Sequence, residues 1–293
     1  MANSIATITK YLPKLDEEYK YASLSSALDA TAAKAQDTDD ASSFKFAKMS
    51  LQGLGDYDRA TGYVTGNAAV TWETKTYSQD RGRKFSVDKV DDMETANISF
   101  GMLAGEFVRT EVAPEMDAYR MAVYAADAIS NSHAATAALS AGDTTLAALR
   151  VAASAQDEAE VPMEGRILFI TPTLEGLIRD QATTVSRAVL DKFSQIILMP
   201  QTRFYTAITQ YDGSTGGQED GGYIKNASTG KNINFLVVHP TAVIQKIKHA
   251  VTKIITPEQN QTTDAWLYFF RAYHDAFVLD NKQAGLYCHY STT

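Results

Sequence analysis

The sequence predicts an α+β fold, and three observations predict it. Period-two alternation runs from Val70 to Val87, and an apolar period of three to four residues runs from Ile98 to Ala126. From Arg166 onward, short apolar runs alternate with Gly, Pro and polar turn residues, and the chain ends β-rich.

Leu12, Leu15, Tyr19, Leu24 and Leu28 fall at helix-like spacings and predict a short amphipathic helix. Asp29 to Ser43 holds no large apolar residue, so it cannot bury enough surface to offset its own entropy and reads as a mobile or extended arm. Between Phe44 and Tyr63, short apolar groups alternate with Gly53, Gly55 and Gly62. Val70, Trp72, Thr74 and Thr76 then alternate with polar neighbours as a half-exposed strand. Ser78-Gln79-Asp80-Arg81-Gly82 carries turn residues, and Phe85 and Val87 resume the alternation. The expectation is a hairpin whose tip carries Arg81, Arg83 and Lys84.

Asp91, Asp92 and Glu94 place negative charge before the helical run Ile98, Met102, Val108, Val112, Met116, Tyr119, Val123, Ala126. Pro114 lies inside it and predicts a kink or a restart, with Pro114 at a first helical position. Ser130 to Gly142 reads as a linker, and Thr145 to Ala159 as a helix capped by Asp143 or Thr144. Arg166 to Ile170 is a buried strand, and Pro172 opens a helix with Leu174, Leu177 and Ile178. Glycines crowd Tyr211 to Asn232 as a long flexible loop, and Phe235 to Val238 is a core strand. Val251–Ile255, Trp266–Tyr273, Ala276–Leu279 and Gly285–Tyr290 read as successive strands.

Composition excludes several function classes. A formal charge of −8 is wrong for a chain that coats nucleic acid, since phosphate neutralisation needs clustered Lys and Arg. The single cysteine, Cys288, closes no intrachain disulfide and has no partner for a thiolate metal cluster; folding in a reducing cytosol is expected. No apolar stretch reaches the ~18 residues a membrane span needs, and no secretory leader or internal repeat is visible.

No motif carries catalysis, a cofactor or a metal. Ser228-Thr229-Gly230-Lys231-Asn232 fails as a phosphate loop because Lys225 stands where Gly is required and Asn232 where Ser or Thr is. Gly213-Ser214-Thr215-Gly216 lacks the spacing of a nucleophile elbow. The five histidines never fall at the i, i+4 spacing that puts two imidazoles on one helix face. Glu111, Glu115 and Asp117 read as a solvated or interface helix face. Arg81, Arg83 and Lys84 fit either DNA phosphate or an acidic patch on another chain. Docking is preferred, because an isolated two-stranded ribbon is marginal in water and a neighbouring subunit is its simplest support.

Taken in order, these segments resemble the major capsid proteins of tailed bacteriophages, with the Hong Kong 97-like coat fold. The resemblance rests on Tyr11 to Leu28, on Trp72 to Asp92 with Asp80-Arg81-Gly82-Arg83-Lys84-Phe85-Ser86-Val87-Asp88, and on Val112-Ala113-Pro114-Glu115-Met116-Asp117-Ala118-Tyr119. It extends to Glu160 to Pro172 and to the tail from Val251 to Tyr290.

The resemblance implies an N-terminal arm (1–45), an extended β-hairpin loop (46–95) and a peripheral-domain spine helix (96–134). It also implies an axial domain (135–250), peripheral strands (251–275) and C-terminal strands returning to the axial domain (276–293). It further implies a non-enzymatic, self-assembling subunit forming hexamers and pentamers of an icosahedral head. Its partners would be a separate scaffolding protein, since the arm is too short to hold a scaffolding segment, a portal, a decoration protein, and packaged double-stranded DNA held weakly. Assembly would occur in the host cytoplasm, with the protein ending in the virion capsid and meeting no membrane. Intersubunit contacts are expected from Arg81, Arg83 and Lys84 against Glu111, Glu115 and Asp117 of an adjacent copy. Two alternatives stay open: a shell protein of an encapsulin-like bacterial nanocompartment, and an α/β enzyme with the Gly-rich segment 211–232 as a lid.

Overall fold

Alternating strands need partners, and the computed structural model, which describes residues 23–34, 36–37, 43–90, 105–181 and 184–292, shows where each run finds one. The first strands are β1 (Gln36–Asp37), β2 (Ser43–Leu51), β3 (Ala68–Thr76) and β4 (Gln79–Asp88). A helix follows in two registers, a π turn (Val108–Val112) and then α1 (Ala113–Ser130). Next come β5 (Ala134–Thr136), α2 (Gly142–Glu158), β6 (Ile167–Ile170), α3 (Pro172–Asp180), α4 (Thr184–Leu190) and β7 (Gln195–Leu198). The chain continues through β8 (Ile208–Gln210), β9 (Tyr223–Lys225) and β10 (Ile233–Val238), and closes with β11 (Val243–Ile255), β12 (Ala265–Val278) and β13 (Leu286–Tyr290).

The body is a five-stranded sheet in the order β5-β13-β10-β6-β7, covered on both faces. Strand alternation divides its side chains cleanly. Ile167, Phe169, Leu236, Val238, Leu286 and Cys288 meet Met121, Tyr124, Ala125 and Ala128 of α1, together with Leu28. Leu168, Ile170, Phe235, Val237 and Tyr287 meet Leu146, Leu149, Ala152 and Ala153 of α2, with Leu174 and Ile178 of α3. Apolar side chains line both faces of the sheet, which is why β6 reads as an unbroken apolar run. Cys288 is fully buried and burial pushes its thiol far above its ordinary range, so it packs as an inert apolar group.

A second, three-stranded antiparallel sheet in the order β11-β12-β4 projects from the body. Here the structure departs from the expected hairpin. The run Gln79–Asp88 is not the return strand of Val70–Tyr77; it pairs with β12 from Ala265 to His274, while β3 pairs with β2. The true hairpin is therefore β2/β3, and Arg81, Arg83 and Lys84 lie inside a strand rather than at a tip. Two contacts override the turn residues: Tyr77 is buried under the hairpin root, and Ser78 N donates to Asp275 Oδ2 at 2.7 Å, which carries the chain straight on into β4. Gly82 serves close approach instead of a turn, since a Cβ there would stand 2.7 Å from Phe270 O of the neighbouring strand.

Pro114 restarts the helix as expected. The π turn absorbs its missing donor, with Ala113 N reaching back to Val108 O across five residues. Asp91, Asp92, Glu94, Ile98 and Met102, like residues 11–22 of the predicted N-terminal helix, lie outside the described residues.

Four further expectations are corrected. Residues 25–34 of the supposed arm form a 3-10 helix that delivers Leu28 to the core. Asp143 and Thr144 lie within the first turn of α2 rather than capping it. The Gly-rich segment contains β9 and is pinned locally: Asn226 Oδ1 accepts from Ser228 N at 3.0 Å and Thr229 N at 2.9 Å. Trp266–Tyr273 and Ala276–Leu279 are not separate strands, because the ladder with β11 runs unbroken on the β12 side and takes its bulge between Ile247 and His249.

Candidate functional site

The β2/β3 hairpin leaves the body and offers apolar surface to solvent. Nine register pairs, from Ser43↔Thr76 to Leu51↔Ala68, build its stem, and Gln52 N donates to Asn67 O at 3.2 Å to close it. Its end, residues 52–67, is held by reciprocal backbone bonds between Asp58 and Gly62 and by an edge-on Tyr57–Tyr63 pair with centroids 4.8 Å apart. Leu54 (107% exposed), Tyr63 (89%), Val64 (69%) and Tyr57 (60%) stand free there, with Met49, Leu51, Val70 and Trp72 exposed along the stem. A patch this apolar on an unsupported ribbon is the mark of a surface that another surface covers.

The six residues expected at an intersubunit contact separate. Odd positions of β4 face inward and even ones outward. Arg81 Nε donates to Glu115 Oε1 at 2.6 Å within the same chain, and Gln210 Nε2 shares that oxygen at 3.1 Å. Arg83 Nη2 donates to Glu219 O at 2.9 Å, lying against Gly213 and Gly221, whose positive φ values fold the 211–222 loop around the guanidinium. Lys84 points to the open face, over the Phe269 ring at 5.6 Å. Glu111 is exposed on the π turn.

Asp117 reverses its predicted setting: it is fully buried. Its carboxylate accepts from Arg203 Nη1 at 3.0 Å, from Leu24 N at 2.9 Å, and from Ser23 Oγ and Ser25 Oγ at 2.8 and 2.7 Å. One residue of α1 thus fastens the start of the described chain to the body. Nothing in a single amphipathic pattern distinguishes this Asp from its neighbours; its partners lie 86 to 94 residues away.

Between β4, β12 and the π turn lies a cleft of about 420 Å³, floored by Phe85, Phe107, Met116 and Phe270 and rimmed by Arg81 and Arg83. His274 closes its inner end, 3% exposed and with no hydrogen-bond partner for Nδ1. Burial, helped by the Arg120 and Arg81 guanidiniums and opposed by Asp275, pushes this imidazole from 6.5 to about 4. The unfolded chain takes up a proton there below about pH 6.5 while the folded chain does not, so stability is full above that value and falls as pH drops toward 4. The loss is up to about 3 kcal/mol from this residue. Melting of the parent and of His274→Gln across pH 7 to 4 checks this: the variant's acid decline is expected to be shallower. Equal slopes would mean that His274 takes its proton freely in the fold. Among the described residues no three His, Cys, Asp or Glu side chains are grouped to hold a metal ion.

No family model and no curated protein sequence matches this chain. Solved structures do. The capsid structure of the Cyanophage P-SCSP1u aligns with a TM-score of 0.68 at 12% identity, over 98% of this chain and 93% of that one. The mature capsid of bacteriophage PhiM1 aligns with a TM-score of 0.64 at 11% identity, over 98% and 93%. The capsid structure of Staphylococcus phage Andhra aligns with a TM-score of 0.61 at 12% identity, over 99% and 90%.

Proposed function

We propose that this chain, which has the Hong Kong 97-like fold of tailed-phage major capsid proteins, is itself a coat subunit that assembles into the shell of a phage head. The observation that carries the proposal is the β2/β3 hairpin, which stands off the body with Leu54, Tyr57, Tyr63 and Val64 uncovered. In a closed shell each such hairpin lies on a second copy, and the apolar area it loses supplies the driving force of assembly. The role is structural rather than catalytic. Hexamers and pentamers of the chain would make the shell, guided by a separate scaffolding protein and joined by a portal and a decoration protein.

The charge of −8 suits a wall that holds packaged double-stranded DNA loosely, because an acidic surface repels phosphate. Lys84 and Glu111 lie on open surface, and we assign them to intersubunit contact; Arg81, Arg83, Glu115 and Asp117 make contacts within the chain. No helix among the described residues is long and apolar enough to cross a membrane. We assign assembly to the host cytoplasm and the finished protein to the virion capsid.

Electron micrographs of the concentrated protein test this. Closed polyhedral particles are expected, and their contents distinguish a genome container from a compartment loaded with protein. A chain that stays monomeric at every concentration, with and without a co-expressed scaffold, would sink the proposal.

A further inference from the structure

The hairpin is half-buried at its root, and the root is built on one inward face. Phe46 and Lys48 of β2 and Glu73 and Lys75 of β3 are half-buried, while the positions between them are exposed. Tyr77, at the end of the stem, is buried beside Ile244, Tyr273 and Phe277 and serves as the pivot. A pivot alone fixes a position but leaves an angle free.

The second attachment is Asp280, the first residue of a short 3-10 turn (Asp280–Gly285) that packs on the body. Its carboxylate takes Lys75 Nζ of β3 on Oδ1 at 3.4 Å and Lys48 Nζ of β2 on Oδ2 at 3.6 Å. Lys75 is held from its other side by Glu73 Oε1 at 2.6 Å. One body carboxylate therefore grips both strands of the hairpin, a few residues out from the pivot.

Beyond Lys48 and Thr71, which stand opposite each other, the stem residues 49–51 and 68–70 are exposed, and Leu54 and Tyr63 ride at its end. At about 3.3 Å per residue, any change of angle at the clamp is multiplied along the stem. We infer that Asp280 is a positioning residue that sets the angle at which the hairpin leaves the body, and so the direction from which its apolar end reaches a second copy. The link to a second copy rests on the assembly reading; the clamp itself does not.

The ion pairs are 36 to 41% exposed at Lys48 and Asp280, so each is weak and open to salt. That is the physics of an adjustable joint rather than a rigid weld. A shell that places one chain in five-fold and six-fold rings requires its hairpins at more than one angle, and a joint held by screened charge moves without unfolding.

The experiment reads the angle on the dilute, unassembled chain. Spin labels go on Thr61→Cys at the hairpin end and Ser154→Cys on α2, both exposed positions; the buried Cys288 stays unlabelled. One narrow distance distribution is expected in the parent at low salt, broadening toward high salt. Asp280→Ala is expected to lose the narrow peak at all salt concentrations, and Asp280→Glu to keep it. Lys48→Met with Lys75→Met, which leaves the carboxylate in place, repeats the loss and stands in if Asp280→Ala melts early. Distributions in Asp280→Ala and in the double lysine variant as narrow as the parent's would overturn the assignment, whatever particles the chain forms. If the angle is freed, particles of mixed diameter are expected on assembly; uniform particles of parental size would overturn the step from clamp to shell geometry.

Discussion

Leu54→Asp combined with Tyr63→Asp is expected to leave the subunit folded and to abolish particle formation. Both side chains are uncovered, at 107% and 89% exposure, so beyond the Tyr57–Tyr63 edge contact at the hairpin end they add little packing to the isolated chain. Surface substitutions of this kind usually stay within about 0.5 kcal/mol of the parent stability. In the proposed shell the same atoms would enter an interface core on a second copy, where truncating an apolar anchor costs about 2 kcal/mol or more and a buried unpaired carboxylate costs further. If each subunit of the proposed shell gives one hairpin and receives one, the penalty recurs at every contact. Sedimentation and electron microscopy read assembly, and a thermal melt reads the fold. Normal particles from the double variant would show that the hairpin end is not an assembly surface. An early melt would show that it packs within its own chain.

The largest effect on stability is expected at Asp117. Asp117→Ala strips the buried Arg203 guanidinium of this carboxylate and removes the acceptor for Leu24 N, Ser23 Oγ and Ser25 Oγ together. Breaking a buried pair by removing one partner costs about 3 to 5 kcal/mol, which for a chain of this size lowers the melting midpoint by on the order of 10 °C. The damage also spreads along the chain. Ser25 Oγ accepts from Arg120 Nη1 at 2.7 Å, and three residues on, Leu28 fills the core between α1 and the sheet. Loosening Ser23–Ser25 therefore frees the 3-10 helix, and limited proteolysis near Leu28 is expected to accelerate. Asp117→Asn, which keeps an acceptor but drops the charge, is expected to fall between. A melt of Asp117→Ala within a degree or two of the parent would mean that Arg203 and the serines find equal partners elsewhere.

The hairpin end and Asp117 lie in parts of the chain that are unequally legible in the sequence. Leu54 and Tyr63 sit in a stretch whose glycines and isolated apolar residues mark it as irregular, but nothing there announces that it ends a hairpin. The pairing of β2 with β3 leaps over 16 residues, from Leu51 to Ala68. The shorter hairpin across Ser78–Gly82 satisfied every local rule and is not the one formed. The reason is tertiary: β12 offers β4 a ladder of ten register pairs, and Asp275 captures Ser78 N at the point where a turn would begin. Asp117 was unreadable for the same kind of reason, since it stands at a spacing that fits an exposed face and is buried by Arg203 and the serines arriving from distant segments.

What the sequence by itself determined is every feature that depends on neighbours along the chain. These are the α+β class, the buried strand at Ile167–Ile170, the helix restarting at Pro114, the inert Cys288 and the acidic balance unsuited to coating nucleic acid. Periodicity, proline geometry and net charge are local or additive, so they survive without a structure. Only the tertiary structure decided which strands pair, that Arg81 spends its charge on Glu115, that Asp117 fastens the N-terminal segment, and that Asp280 grips both strands of the hairpin. The β2/β3 ladder joins residues 17 to 33 positions apart and the three side-chain contacts join residues 34 or more apart, and such contacts are chosen by competition among partners for burial and hydrogen bonds, which no single segment encodes.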